Sequence, residues 1–224
     1  MSTEELVFSC QSFSIELSGV QLFSPVSFDV QLGQVAHITG KNGAGKSTFL
    51  RFLASENIEY AGRVMIRPRP KDVLYLPQML AACAHLPFSL EEISQLFAIQ
   101  VSQKKGLSRG ENTGISDFPD WFSAAQRKKC WNDASGGERV RALLAAVMQV
   151  SGNTILLLDE PLNHLDTEAT LDFQTDLIRL MESDVQKLTV FIVSHAPMEL
   201  LSKHLGSRYQ CVHIENQLGG ARIK

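Results

Sequence analysis

The 224-residue sequence is poor in the residues that mark several functional classes. Its four cysteines, Cys10, Cys83, Cys130 and Cys211, are scattered with no C-x-x-C pair. That spacing argues against a disulfide framework and a Cys-based zinc site, and reads as reduced, mostly buried thiols. Basic excess is also missing, since 21 lysines and arginines against 24 acidic residues give a formal net charge of −3. Domains dedicated to nucleic acid carry positive charge to neutralise phosphates, so no direct nucleic-acid partner is expected; a local basic patch stays open. No apolar run approaches the roughly 18 residues needed to cross a bilayer. The opening Met1-Ser2-Thr3-Glu4-Glu5 is acidic where a secretory signal is basic, so the expected compartment is the cytoplasm. Core-forming residues are not lacking: 44% hydrophobic and 20% charged residues are ordinary globular values. One compact α/β domain is expected, and disorder is excluded as the main state.

Apolar residues at period two over Phe8–Leu17 and Leu22–Val30 predict antiparallel strands that open the chain. Val35–Thr39 reads as a short buried strand running into a glycine-rich turn and a helix-like Phe49–Leu53. Val64–Ile66 after Gly62, and Asp72–Leu76 before Pro77, read as a hairpin, proline being unable to donate to a ladder. Leu90, Ile93, Leu96 and Phe97 recur at helical spacing, and Ser102–Asp120 is polar and glycine-rich, as surface loops are. The stretch is read as a small helical insert. A helix over Arg139–Val150 leads to Thr154–Leu158, an apolar run typical of a parallel strand buried on both faces. Helix Glu168–Met181, strand Leu188–Val193, helix Pro197–Leu205 and strand Tyr209–Ile214 complete a βαβ succession, implying a parallel sheet with right-handed crossovers.

Gly40–Ser47 matches G-x-x-x-x-G-K-[ST] between a strand and a helix, where a phosphate loop must lie. Gly43 and Gly45 let successive N–H groups curl around a β-phosphate, Lys46 would bridge the β- and γ-phosphates, and Ser47 would bind Mg²⁺. The nucleotide-contact candidates are Gly40, Asn42, Gly43, Ala44, Gly45, Lys46, Ser47 and Thr48. The competing reading is a glycine-rich turn with no ligand. Asp159 ends an apolar strand at the carboxyl edge of the sheet, where it would hold Mg²⁺ through its water shell. Glu160 is expected to point the opposite way, as period two demands, toward an attacking water; the plainer alternative is a solvent-facing carboxylate before Pro161. Ser135 and Glu138 form an S-x-x-E capping box, and the same capped start, with Gly136 and Gly137, is a second anion site.

The order Gly40–Thr48, Gln78, Ser135-Gly136-Gly137-Glu138, Leu156-Leu157-Leu158-Asp159-Glu160-Pro161 and Ser194-His195 resembles the ATP-binding cassette (ABC) ATPase family over about residues 6–215. The resemblance implies a P-loop α/β cassette: a RecA-like mixed or parallel core, an N-terminal antiparallel β subdomain and a small α-helical subdomain. The whole chain, 1–224, would be one such domain, with about 80–133 as the helical insert. It further implies that Gln78 contacts Mg²⁺ and relays the state of a partner. Ser135, Gly136 and Gly137 would contact the γ-phosphate held by a second subunit, Asp166 would be the D-loop aspartate, and His195 would bond the γ-phosphate. Catalysis would thus rest on Lys46, Glu160 and His195, and the metal site on Ser47, Gln78 and Asp159. The sequence departs from the family at Ala134, Glu138 and Ala196, and no clear aromatic is placed to stack on adenine. Leu17 falls nearest that place, with Phe13 as the other candidate.

The resemblance implies an ATP-hydrolysing subunit that pairs head to tail with a second copy. It would sit on the inner face of the membrane and drive a separate integral permease, served by a substrate-binding protein. Apolar Met79, Leu80, Leu86, Phe88 and Ile93 would partly line the permease groove, although Ile93 fits the core of the insert equally well. The rival reading is an ABC-F-like ribosome-associated switch, suggested by the wording Asn163-His164-Leu165-Asp166. Against it stand the single cassette and the slightly acidic charge.

Overall fold

The apolar run at Thr154–Leu158 is buried along its whole length because it lies inside a parallel sheet. In a computed structural model of the chain, residues 5–54, 58–66, 73–77, 87–104, 122–148, 154–163, 165–183 and 187–216 are described, without the side chains of Leu17 and residues 100–104. The parallel sheet has the order β6 (Val73–Leu76), β7 (Thr154–Asp159), β8 (Leu188–Val193), β4 (Val35–Thr39) and β9 (Tyr209–His213). A second, antiparallel sheet is built on β1 (Leu6–Leu17), which pairs with β2 (Val20–Gln21), β3 (Val26–Gln31) and β5 (Tyr60–Ile66). The fold is therefore mixed α/β. The two strands of the expected hairpin go to different sheets: β5 joins the antiparallel sheet and β6 the parallel one.

Local irregularities shape the antiparallel sheet. Along β1 the core positions switch from Phe8 and Cys10 to Phe13 and Ile15, a change of parity made by a register shift between Cys10 and Phe13. Ser12 sits in that shift at φ 49, the geometry of a bulge. The strand expected over Leu22–Val30 is broken before Val26: Pro25 has no N–H, and Phe23 bridges to Asn216 and is fully buried.

Period two in the parallel strands divides the core in two. Leu156, Leu158, Val190 and Ile192 pack on one face with α4 (Gly136–Met148), α5 (Thr167–Met181) and α6 (Glu199–Leu205). Ile155, Leu157, Phe191 and Val193 pack on the other with α1 (Lys46–Leu53) and the antiparallel sheet. Between β6 and α4 lie α2 (Leu90–Lys104) and α3 (Ala124–Arg127), with α2 packed on α4. Leu90 and Ile93 face that core, whereas Leu96 is 52% exposed. Ser102–Lys104 belong to α2; the rest of the loop expected over Ser102–Asp120 lies outside the described residues.

A buried ionic tie holds α4 to α5. Arg141 pairs with Asp176, which is 1% exposed and also meets Arg179. Burial pushes the Asp176 carboxyl above its usual value, against the pull of Arg141. Because the core sheet is parallel throughout, Thr39, Asp159 and Val193 end their strands along one edge, and the chemistry-bearing segments follow them.

Candidate functional site

Beyond Thr39 the chain curls through Gly40–Gly45 into α1. Gly40 has φ 145, and a Cβ there would lie 2.2 Å from the Ile214 carbonyl oxygen. Gly45 caps α1 at φ 92, in the left-handed region where glycine is favoured. Gly43 also has positive φ, at 77, while Ala44 anchors the turn in the core. The N–H groups of Lys46, Ser47 and Thr48 open α1 and have no carbonyl one turn earlier within it, which leaves donors suited to an anion. Lys46 is only 5% exposed and donates to the Gly40 and Lys41 carbonyls, both at 3.0 Å. Burial pushes its ammonium below the ordinary value, and Glu160 and Asp159 pull it back up.

Opposite the loop, Asp159 is 4% exposed and takes two hydrogen bonds. Ser47 Oγ donates to its Oδ1 at 2.9 Å, and Tyr75 Oη donates to its Oδ2 at 3.0 Å. Glu160 follows at φ 50, a left-handed conformation uncommon outside glycine. Its N–H donates to the Val193 carbonyl at 2.9 Å, so the chain turns at the strand end. Glu160 diverges from Asp159 through this turn and not through strand pleating. Its Oε1 lies 3.8 Å from His195 Nε2, and its Oε2 accepts from Asn163 Nδ2. His195 has a side chain 45% exposed, against 15% for Glu160, so the pair opens to solvent on the histidine side. A shielded carboxylate beside an accessible imidazole, next to a nest of N–H donors and a lysine, is suited to phosphoryl transfer to water.

Residues 23–163 match the sequence profile described as "ABC transporter". The chain belongs to the ABC transporter family. It is similar to the zinc import ATP-binding protein ZnuC of Ruegeria pomeroyi, with 32% identity over 84% of this chain and 69% of that protein. It is 30% identical to the hemin import ATP-binding protein HmuV of Vibrio parahaemolyticus, over 85% of this chain and 76% of that one. A putative ABC transporter ATP-binding protein of Pyrococcus furiosus shares its fold at TM-score 0.64 and 19% identity, covering 85% of this chain and 92% of that one. As a member of this family the chain is an ATPase that binds ATP.

In this ABC cassette the Ser135-Gly136-Gly137 segment starts α4. Ser135 Oγ accepts from Glu138 N–H at 3.2 Å, and Glu138 Oε2 accepts from Ser135 N–H at 2.8 Å, which closes the capping box. Glu138 also takes a bond from Lys129 Nζ at 2.7 Å. Burial pushes the Glu138 carboxyl up, but the bonds from Lys129 and Ser135 outweigh it and hold it low. Gly136 and Gly137 pack on the start of α5: a Cβ on Gly137 would lie 3.0 Å from Ala169 Cβ. Asp166 caps α5, its Oδ1 accepting from Ala169 N–H at 2.8 Å.

Phe13 does not serve as an adenine platform. It is fully buried, with the rings of Phe23, Phe49, Phe52 and Tyr60 within 5.9 Å. Leu17 closes β1 opposite Val20, which is 45% exposed. Gln78, Met79, Leu80 and Leu86 lie outside the described residues. Phe88 is 37% exposed and Ile93 is 9% exposed, so Ile93 belongs to the core of the helical part. Tyr75, which holds Asp159, was not singled out by sequence, and Asn163 stood out only as part of the Asn163–Asp166 wording, not as the partner of Glu160. Tyr75 leaves a weak trace as the lone polar-tipped residue of the strand Val-Leu-Tyr-Leu.

Proposed function

We propose that this ATPase is the energising subunit of a membrane transporter, working as a head-to-tail pair of copies at the cytoplasmic face and driving a separate integral permease. The Glu160–His195 approach of 3.8 Å beside the Lys46 loop carries the reading. In it, the N–H groups of Gly43–Thr48 and the Lys46 ammonium hold the β- and γ-phosphates, Lys46 exchanging its loop carbonyls for phosphate oxygens. Ser47 Oγ and Asp159 Oδ1, hard oxygens 2.9 Å apart with one ionisable, fit Mg²⁺, which favours few protein oxygens plus phosphates. Mg²⁺ bound there would offset phosphate charge. Glu160 orients a water and takes its proton as the new O–Pγ bond forms and the bond to ADP breaks. His195 donates to a terminal-phosphate oxygen, and Asn163 holds the spare oxygen of Glu160 so that the other faces the water.

Ser135, Gly136 and Gly137 at the α4 N-terminus would complete the site of the opposite copy, with Asp166 near the seam and Gln78 facing both Mg²⁺ and the permease. The import-type relatives favour an importer, in which a separate binding protein delivers cargo. The insert between β6 and α4 would receive the permease, with Phe88 on its exposed side.

Purification of the tagged chain from native membranes tests the assignment. Co-elution with a polytopic membrane protein is expected. ATP-dependent co-sedimentation with ribosomes, and no membrane partner, would replace the transporter reading with the ABC-F-like one.

A further inference from the structure

Strand β4 reads Val-Ala-His-Ile-Thr, and its histidine, His37, is 5% exposed. A buried imidazole is tolerated when both nitrogens are hydrogen-bonded, and here both are. His37 Nε2 lies 3.0 Å from the Ser194 carbonyl oxygen and Nδ1 lies 2.7 Å from Tyr209 Oη. A carbonyl only accepts, so Nε2 carries the proton and Nδ1 accepts from the tyrosine hydroxyl. Register explains the reach: His37 is opposite Ile192 of β8 and Cys211 of β9, and its partners lie two residues along each neighbour. Burial, with a smaller push from His195, lowers the basicity of His37, consistent with the neutral ring that this bonding requires.

We infer that His37 is a positioning residue for His195, holding the peptide that leads into it. The backbone there is tied from several sides. The Val193 carbonyl accepts from Glu160 N–H at 2.9 Å, and Ser194 Oγ accepts from Ala196 N–H, also at 2.9 Å. The next carbonyl, that of Ser194, is taken by His37, which lies in β4 three residues before Gly40. His37 thereby links the strand that enters the phosphate loop to the segment that carries His195. Among the described residues the His195 side chain is met by Glu160 at 3.8 Å, a loose approach, so the direction of its ring depends on this backbone. The inference rests on the role assigned to His195 above. If His37 only filled the core, its loss would lower stability and leave the per-molecule rate of folded protein unchanged.

The test uses the full chain with His37→Leu, His37→Gln and Tyr209→Phe, each alone and combined with His195→Ala, reading kcat, KM for ATP and melting midpoint. Single-turnover hydrolysis of labelled ATP resolves the slow variants. His37→Leu should lower kcat roughly tenfold with KM within about twofold, the pattern of lost transition-state positioning. His37→Gln, whose amide N–H can reach the Ser194 carbonyl, should recover to within about threefold of the parent. In the His195→Ala background His37→Leu should slow hydrolysis no further. Parental kcat in folded His37→Leu, or an equal loss with and without His195, overturns the inference. Should His37→Leu fail to fold, Tyr209→Phe decides: a kcat loss that vanishes in the His195→Ala background supports the inference, and an unchanged kcat overturns it. His195→Ala alone separates the two readings. If it turns over at the parental rate, the role of His195 fails and the inference with it. If it is slow while folded His37→Leu is normal, the inference alone fails.

Discussion

Lys46→Ala lowers steady-state ATP turnover by at least about 10³-fold, the scale of removing one main charge-stabilising donor, or about 4 kcal/mol. The expectation follows from how the lysine is held. At 5% exposure the ammonium is largely stripped of water and meets two loop carbonyls at 3.0 Å, so little protein rearrangement is needed to bring a phosphate oxygen into the same reach. Arg51, the other cation of α1, does not stand in for it, since it donates to Thr48 Oγ1. Alanine also leaves the Gly40 and Lys41 carbonyls without their shared donor, so the melting midpoint is measured in parallel to separate lost chemistry from a loosened loop. Normal turnover by folded Lys46→Ala would remove the loop from the phosphates.

Glu160→Gln lowers hydrolysis by roughly 10²-fold or more, the range for a lost general base, while ATP affinity stays near the parental value. Glutamine keeps the shape and can still meet His195 and Asn163, but it cannot take a proton from water. The strained backbone at φ 50 is retained, so the loss reports on the carboxylate and not on the turn. ATP is then trapped rather than consumed, and with Mg²⁺ a stable pair of chains should build up on size-exclusion chromatography. A variant that stays monomeric and hydrolyses at the parental rate would refute both the base and the pairing.

The parts of this molecule legible in sequence are those specified by neighbours along the chain. Glycines at positive φ mark the phosphate loop, the unbroken Ile155–Leu158 run marks a strand buried on both faces, and the Ser135–Glu138 reciprocity marks the start of α4. What was not legible depends on distant partners. Period two places Phe13 and Ile15 on one inward face, but the bulge at Ser12, which brings Phe8 and Cys10 of the other parity into the same core, has no local signal. Phe23 leaves the antiparallel sheet because it pairs with Asn216, almost the whole chain away. Tyr75 meets Asp159 across 84 residues, and His37 meets Ser194 and Tyr209 across 157 and 172. No local pattern announces such contacts, because they exist only once the parallel strands are in register. The Asp159–Glu160 divergence was expected on strand periodicity, but the turn at Glu160 produces it.

In the proposed pair, ATP would be hydrolysed in a site shared by two copies, each lending Ser135, Gly136 and Gly137 to the other. Mixing two inactive variants, Lys46→Ala and Ser135→Arg, tests it most directly. In a mixed pair one site carries both lesions and the other carries neither. Random pairing in equal amounts makes about half the pairs mixed with one whole site each, so turnover should return to roughly a quarter of the parental value. Mixed pairs confirmed by differential tags, with turnover no higher than that of either variant alone, would contradict a shared site.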